Sequence, residues 1–192
     1  MYEMIKSIVA SLFGKKGILL VRATEKAKVT NLIESLYPYQ IQSELIRIGP
    51  NGDGGYLVPN DLDGIEACFS PGVGNISEFE TDCLKHGMKI FLADKSVEKP
   101  NFNISEDKYD FLKKLIGCTN NNDFITMDDW VKLKCQSENS ELLLQMDIEG
   151  GEYNSLINIS NSLMNRFRIM VIEFHFLQEL WNPYYFNVIQ TV

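Results

Sequence analysis

The chain has 192 residues, 45% hydrophobic and 23% charged, a composition that suits one globular core of ordinary size. Its 18 basic against 26 acidic residues leave a formal net charge of −8, and no basic run exceeds Lys15-Lys16 or Lys113-Lys114, so nucleic acid is not an expected partner. Cys68, Cys83, Cys118 and Cys135 lie 15, 35 and 17 positions apart with no CxxC pair, which argues against a zinc or redox centre and reads as reduced thiols of a cytoplasmic protein.

The N-terminal stretch from Met4 to Phe13, with Gly17 to Val21 after it, is apolar enough to be checked for targeting. Glu3 and Lys6 break a signal-type n-region, Lys15-Lys16 splits the stretch, and neither piece reaches the roughly 20 residues that span a bilayer. An amphipathic helix packed on the domain is expected there, with peripheral membrane contact as the alternative. Glu25 to Tyr37 predicts a helix, with Ala27, Leu32, Ile33 and Leu36 near helical spacing and Pro38 as its stop. Residues 1–44 are therefore read as an N-terminal helical segment and residues 45–192 as the main domain.

Leu45 to Ile48 and Tyr56 to Val58 flank GPNGDGG (Gly49 to Gly55), which predicts a loop or wide hairpin. Ile65 to Phe69 is the first core strand, followed by the glycine turn FSPGVGNISEFE (Phe69 to Glu80) and a helix from Ser77 to His86 closed by Gly87. Gly72 and Gly74 let the backbone lie against a ligand, and the exposed N–H groups of the next helix face the same gap. Asn75 or Ser77 is expected to cap that helix, and Glu78 and Glu80 put acid in its first turns. Met88 to Ala93 is the second strand; Asp94 follows it, 20 positions past Gly74, near the spacing of about 20 at which an acid reaches a ribose hydroxyl. The third glycine of GxGxxG is replaced by Ser77, which argues against a pyrophosphate-binding dinucleotide site and leaves a mononucleoside in play.

Tyr109 to Ile116 reads as either a third strand or a short helix, Asn120 to Asn122 as a loop, and Thr126 to Leu133 as a capped helix. Leu142 to Met146 is a buried-type strand, Gly150 to Leu163 a helix, and Ile169 to Phe176 the last strand. This alternation predicts an α/β fold, Rossmann-like, with a doubly wound, mostly parallel sheet and helices on both faces. Ligands then sit at the carboxyl ends of the strands.

DIEGGE (Asp147 to Glu152) puts one carboxylate at a strand tip and two more at the start of a helix. Such a group needs positive charge from a sulfonium, a divalent ion or the helix N-terminus. On the last strand Glu173 and His175 share one parity, so His175 is the candidate general base, Glu173 orients its ring, and Asp147 is the alternative base.

In this order, RIGPNGDGGYLVP (Arg47 to Pro59), the glycine turn, FLADKSV (Phe91 to Val97), ITMDDW (Ile125 to Trp130), LLLQMDIEGGEYNSL (Leu142 to Leu156) and VIEFHF (Val171 to Phe176) resemble the FkbM-type and DGGY-signature methyltransferases of the class I S-adenosylmethionine-dependent fold. The resemblance implies that Gly72 and Gly74 lie against the methionine part of the cofactor with Ser77 near its polar end, that Asp94 holds the ribose hydroxyls, and that Asp123 approaches the adenine. Asp147 and Glu149 would line the cofactor and acceptor side, and Asp53, Asn75 and Lys95 join the same cofactor set. The implied reaction is O-methylation of a hydroxyl on a sugar or other small metabolite. Rival readings are a nucleotide-sugar NAD(P)-dependent enzyme and a non-catalytic binding module of the same fold. No metal is assigned; a divalent ion among Asp147, Glu149 and Glu173 is the alternative to a histidine base. Trp130, Trp181, Tyr184 and Tyr185 are the aromatics that could stack on a sugar. Pro71 departs from the smaller or acidic residue usual in that turn. Because the chain stops at Val192, the final antiparallel pair of a complete class I sheet is expected to be missing.

Overall fold

The computed structural model describes residues 9–17, 21–74, 77–100 and 104–192. In chain order these give helix α1 (Lys26–Ser35), strands β1 (Leu45–Ile48), β2 (Tyr56–Pro59) and β3 (Ala67–Pro71), helix α2 (Glu78–Lys85), and strands β4 (Lys89–Ala93), β5 (Tyr109–Leu112), β6 (Leu115–Ile116) and β7 (Phe124–Ile125). Helix α3 (Met127–Lys134), strand β8 (Leu142–Met146), helices α4 (Glu152–Asn158) and α5 (Asn161–Met164), strand β9 (Phe167–Ile172), a 3₁₀ turn (Leu177–Trp181) and helix α6 (Pro183–Thr191) complete it. Of the apolar N-terminal stretch, residues 9–14 are helical; the remainder of Met4 to Phe13 and most of Gly17 to Val21 lie outside the described residues. No helix among the described residues is long and apolar enough to cross a membrane.

The contacts divide the chain into two units. One joins residues 1–38 to 176–191, and the other holds residues 39–175 with Val192, a different division from the one drawn at residue 44. Within the first unit the Thr24 N–H donates to the Trp181 carbonyl at 2.8 Å, and the 3₁₀ turn packs on α1 and α6. That hydrogen bond joins segments more than 150 residues apart, a pairing that composition does not encode.

The second unit is built on a five-stranded sheet in the order β5-β4-β3-β8-β9, every pair parallel. Its central strands β3 and β8 are buried along their whole length, which is why they read as unbroken apolar runs. Side chains alternate between two cores. Ala67, Phe69, Leu142 and Leu144 meet α3, α4 and α5 on one face, where Phe69 lies 4.9 Å edge-on from Trp130. Cys68, Leu143, Ile90 and Leu92 meet α2 and the antiparallel β1-β2 hairpin on the other, through Phe79, Cys83, Ile48 and Val58. Trp130 is fully buried, so it belongs to the core and cannot stack on a sugar.

Besides shifts of element ends by a few residues, three departures from the sequence reading bear on the site. The helix expected over Gly150 to Leu163 breaks at Ile159, because the Ser160 Oγ accepts the Leu163 N–H at 3.2 Å and starts α5 afresh. The last strand ends at Ile172, short of Glu173 and His175, so their shared parity on a strand does not hold. Ser77 stands at the α2 N-cap with no side-chain capping bond, its carbonyl instead accepting from the Thr81 N–H and Oγ1, and Asn75 lies outside the described residues.

The order of the strands creates a switch point. The chain runs outward through β3, β4 and β5, then returns to pair β8 on the other side of β3. The connections leaving β3 and β8 therefore diverge and open a crevice at their carboxyl ends.

Candidate functional site

At that crevice Gly72 (φ 87°) turns the chain out of β3 while its N–H donates to the Ala93 carbonyl at 3.1 Å. A Cβ on Gly72 would lie deep inside the contact distance of the Asp147 backbone carbonyl, so the turns after β3 and β8 touch backbone to backbone. Gly72→Ala is expected to cost about 2 kcal/mol or more, from strain plus the forced displacement. For a chain of this size that lowers Tm by roughly 4 °C or more; a thermal melt followed by circular dichroism that matches the parent's would show the contact to be relaxed.

A cavity of about 450 Å³ opens here, lined by Gly72 to Gly74, Asp94, Ser96, Asp147 to Glu149 and an apolar wall of Leu115, Ile116 and Phe124. Asp94, 7% exposed, sits at the β4 tip. Its Oδ2 accepts the Val73 N–H at 2.9 Å and its Oδ1 the Ser96 N–H at 2.6 Å. The carboxylate thus fixes the glycine turn and lines the cavity at once. The apolar wall comes from β6 and β7, a parallel pair closed by the Asn121 Oδ1, which accepts the Asp123 and Phe124 N–H groups.

Beside it lies a smaller cavity of about 120 Å³ between the GPNGDGG loop and the glycine turn, with Asp53, Tyr56, Glu80, Gln145 and Asp147 in its wall. The loop is anchored by the Gly49 N–H donating to Asp82 Oδ2 at 2.9 Å and by Arg47 Nη1 donating to the Gly55 carbonyl at 3.0 Å. Burial, and next the Glu173 charge, push the Tyr56 phenol up to about 12.

The acidic turn after β8 organises the histidine. Glu152, fully buried at the start of α4, accepts the Ile148 and Gly150 N–H groups at 3.0 and 3.1 Å through Oε1, which also lies 3.0 Å from His175 Nδ1. His175 Nε2 faces Asp147 Oδ1 at 3.6 Å and Glu149 Oε2 at 3.5 Å. Burial alone would lower the imidazole pKa, but the Glu152 hydrogen bond and the charges of Glu152, Asp147 and Glu149 together raise it above the usual 6.5. Burial and the Glu173 charge in turn raise the Asp147 carboxyl. Tyr153 braces the ring's backbone, its hydroxyl donating to the His175 carbonyl at 2.6 Å. With Nδ1–H held by Glu152, the neutral imidazole carries its lone pair on Nε2, the atom that faces Asp147 and Glu149; His175 itself lines neither cavity. Asp147, Glu149 and His175 also offer three ligand atoms within 4.8 Å of one another, a donor set that suits a divalent cation.

Several sequence-assigned residues stand elsewhere. In the place expected of Glu173, Glu152 hydrogen-bonds the His175 ring, while Glu173 Oε2 accepts the Tyr56 hydroxyl at 3.2 Å. Lys95 and Asp123 form an ion pair with each other and are absent from the wall of the larger cavity, where Asp94, Ser96 and Phe124 lie instead. Ser77 is buried and lines neither cavity. Sequence reasoning missed the Leu115, Ile116 and Phe124 wall, whose two-residue strands are too short to show a period, and it missed Glu152 as the partner of the histidine.

The chain matches no family model, no curated protein and no solved structure.

Proposed function

We propose that this chain is an S-adenosylmethionine-dependent O-methyltransferase acting on a hydroxyl of a sugar or another small metabolite. The observation that carries the reading is the switch-point cavity: a buried carboxylate, Asp94, lines it with a glycine turn and an apolar wall, and Asp147 and Glu149 of the same wall lie 3.6 and 3.5 Å from His175 Nε2. An adenosyl group needs these features together. Asp94 accepts from ribose hydroxyls, Leu115, Ile116 and Phe124 bury the flat base, and Gly72 and Gly74 allow close backbone approach.

When bound, the cofactor supplies a methyl carbon made electrophilic by its sulfonium. The crevice holds an acceptor hydroxyl in line with that carbon, and this positioning supplies much of the acceleration. His175 Nε2 takes the hydroxyl proton as the oxygen attacks, and Glu152 holds the ring in the tautomer that can accept it. Asp147 and Glu149 stabilise the imidazolium that forms. A metal-assisted version rests on the donor set of Asp147, Glu149 and His175, in which a divalent ion lowers the pKa of the acceptor hydroxyl instead.

Isothermal titration with S-adenosylhomocysteine tests the reading and is expected to give saturable binding at one site. No heat and no rise in Tm at millimolar ligand would sink it. NAD(P)H fluorescence enhancement in its place would favour a nucleotide-sugar enzyme. Binding with no methyl release across a broad panel of hydroxylated acceptors would favour a non-catalytic module.

A further inference from the structure

The unit that contains α1 and α6 carries charge and apolar surface that the proposed reaction does not use. Residues 1–38 and 176–191 hold six basic against four acidic side chains, while the other 12 basic and 22 acidic residues belong to the second unit. The excess is concentrated: residues 15–28 carry five of the six basic groups, each of them exposed, and one acid, Glu25. The Arg22 side chain is 90% exposed and approaches Glu25 only at 4.0 Å, so its guanidinium keeps donors for another acceptor. Arg22 and Lys28 stand in the wall of a cleft of about 830 Å³ between α1 and α6, which Pro183 and Phe186 help to complete.

Apolar and aromatic side chains lie beside those charges. Val21, next to Arg22, is exposed; Trp181, whose carbonyl accepts the Thr24 N–H at 2.8 Å, is half exposed; and Tyr184, next to Pro183, is 71% exposed. In the same unit the helical residues 9–14 expose Val9, Leu12 and Phe13 at the i, i+3, i+4 spacing of a single face, directly before Lys15-Lys16. The pairing of cations with such residues selects a partner. The anionic face of a bilayer attracts lysine and arginine, while indole and phenol rings settle at the depth of the headgroups and aliphatic side chains just below them. A soluble anion would satisfy the charges alone and leave Leu12, Phe13 and Trp181 in water.

We infer that this unit docks on anionic phospholipid bilayers, with Lys15, Lys16, Arg22 and Lys28 against the lipid phosphates and Leu12, Phe13, Trp181 and Tyr184 in the interfacial layer. Each cation held near such a surface strengthens partitioning by about fivefold. None of these residues lines the two cavities at the sheet, so the inference stands apart from the S-adenosylmethionine reading.

The test adds vesicles of phosphatidylcholine, with or without a third of phosphatidylglycerol, to the whole chain. The chain has two tryptophans and Trp130 is fully buried, so a blue shift of the emission reports Trp181 entering the interface. Flotation with the vesicles and this shift are expected for the anionic lipid only, and both fade as salt is raised. Arg22→Gln/Lys28→Gln is expected to weaken partitioning roughly 25-fold, at about fivefold per charge. Leu12→Ser/Phe13→Ser is expected to weaken it roughly 10-fold or more through lost apolar burial, with a circular-dichroism melt that matches the parent's. Wild-type protein that stays free of anionic vesicles overturns the inference without any variant, as does equal binding to the zwitterionic ones. Full affinity in the folded charge variant overturns it too. Release of bound protein by millimolar inorganic phosphate at constant ionic strength would assign the cations to a free anion. A concentration-dependent dimer in analytical ultracentrifugation that shifts Trp181 without lipid would give the surface to a second copy, and either result overturns the inference.

Discussion

On the proposed function, Asp94→Ala is expected to weaken binding of S-adenosylhomocysteine on the order of 10²-fold or more, the loss of two charge-assisted hydrogen bonds to the ribose. The structure adds a second contribution. Asp94 also holds the Val73 and Ser96 N–H groups, so its removal frees the turn that forms the opposite side of the cavity. Both effects act in the same direction on affinity. They separate on stability: losing the backbone anchors lowers the Tm of the ligand-free protein by a few degrees, whereas losing the ribose contacts alone leaves it unchanged. Titration calorimetry and a thermal melt on the same sample measure the two. Affinity within threefold of wild type would remove Asp94 from the site and with it the nucleoside reading.

His175→Asn is expected to lower methyl transfer by roughly 10² to 10⁴-fold, the range of a positioned general base, with cofactor affinity little changed. The pH profile gives the sharper readout. A base must be neutral to work, so the rate climbs as pH rises through the folded-state pKa of His175, which lies above 6.5 because Glu152, Asp147 and Glu149 outweigh the effect of burial. Glu152→Gln removes the largest raising contribution and moves that limb toward lower pH. Stability runs the other way. A histidine whose pKa is raised on folding stabilises the protein fully below its unfolded value, and that contribution fades as pH increases through the folded one. On the proposed function, the protein is therefore expected to gain activity over the pH window in which it loses this part of its stability. If chelation by EDTA removes the activity while His175→Asn leaves the pH limb in place, the histidine is not the base, and the cation set of Asp147, Glu149 and His175 takes over its role.

The parts of this architecture legible from the residues alone are those governed by local rules. Leu142 to Met146 and Met88 to Ala93 read as buried strands because strands covered on both faces have no polar side. Thr126 announces α3 because its hydroxyl accepts the Asp129 N–H, a signal four residues long. Residues that matter through the fold were misassigned or passed over. Glu173 was paired with His175 by a strand parity that ends at Ile172, whereas the true partner, Glu152, is 23 positions away and looks in sequence like an ordinary acid at a helix start. Glu80 likewise read as a helix-dipole acid, and only the juxtaposition of α2, β3 and β8 gives it Ser70 and Gln145 as neighbours. The small β6-β7 pair has no periodic signature, yet it supplies an entire wall of the larger cavity.

The backbone contact between the turns at Gly72 and Asp147 joins two stretches 75 positions apart that meet only when β3 and β8 zip together. Neither the segment up to β5 nor the segment from β8 onward owns a whole binding surface. On the proposed function, occupancy by a nucleoside would report completed folding, and its stabilising free energy would be spread over the entire sheet instead of being lodged in one half.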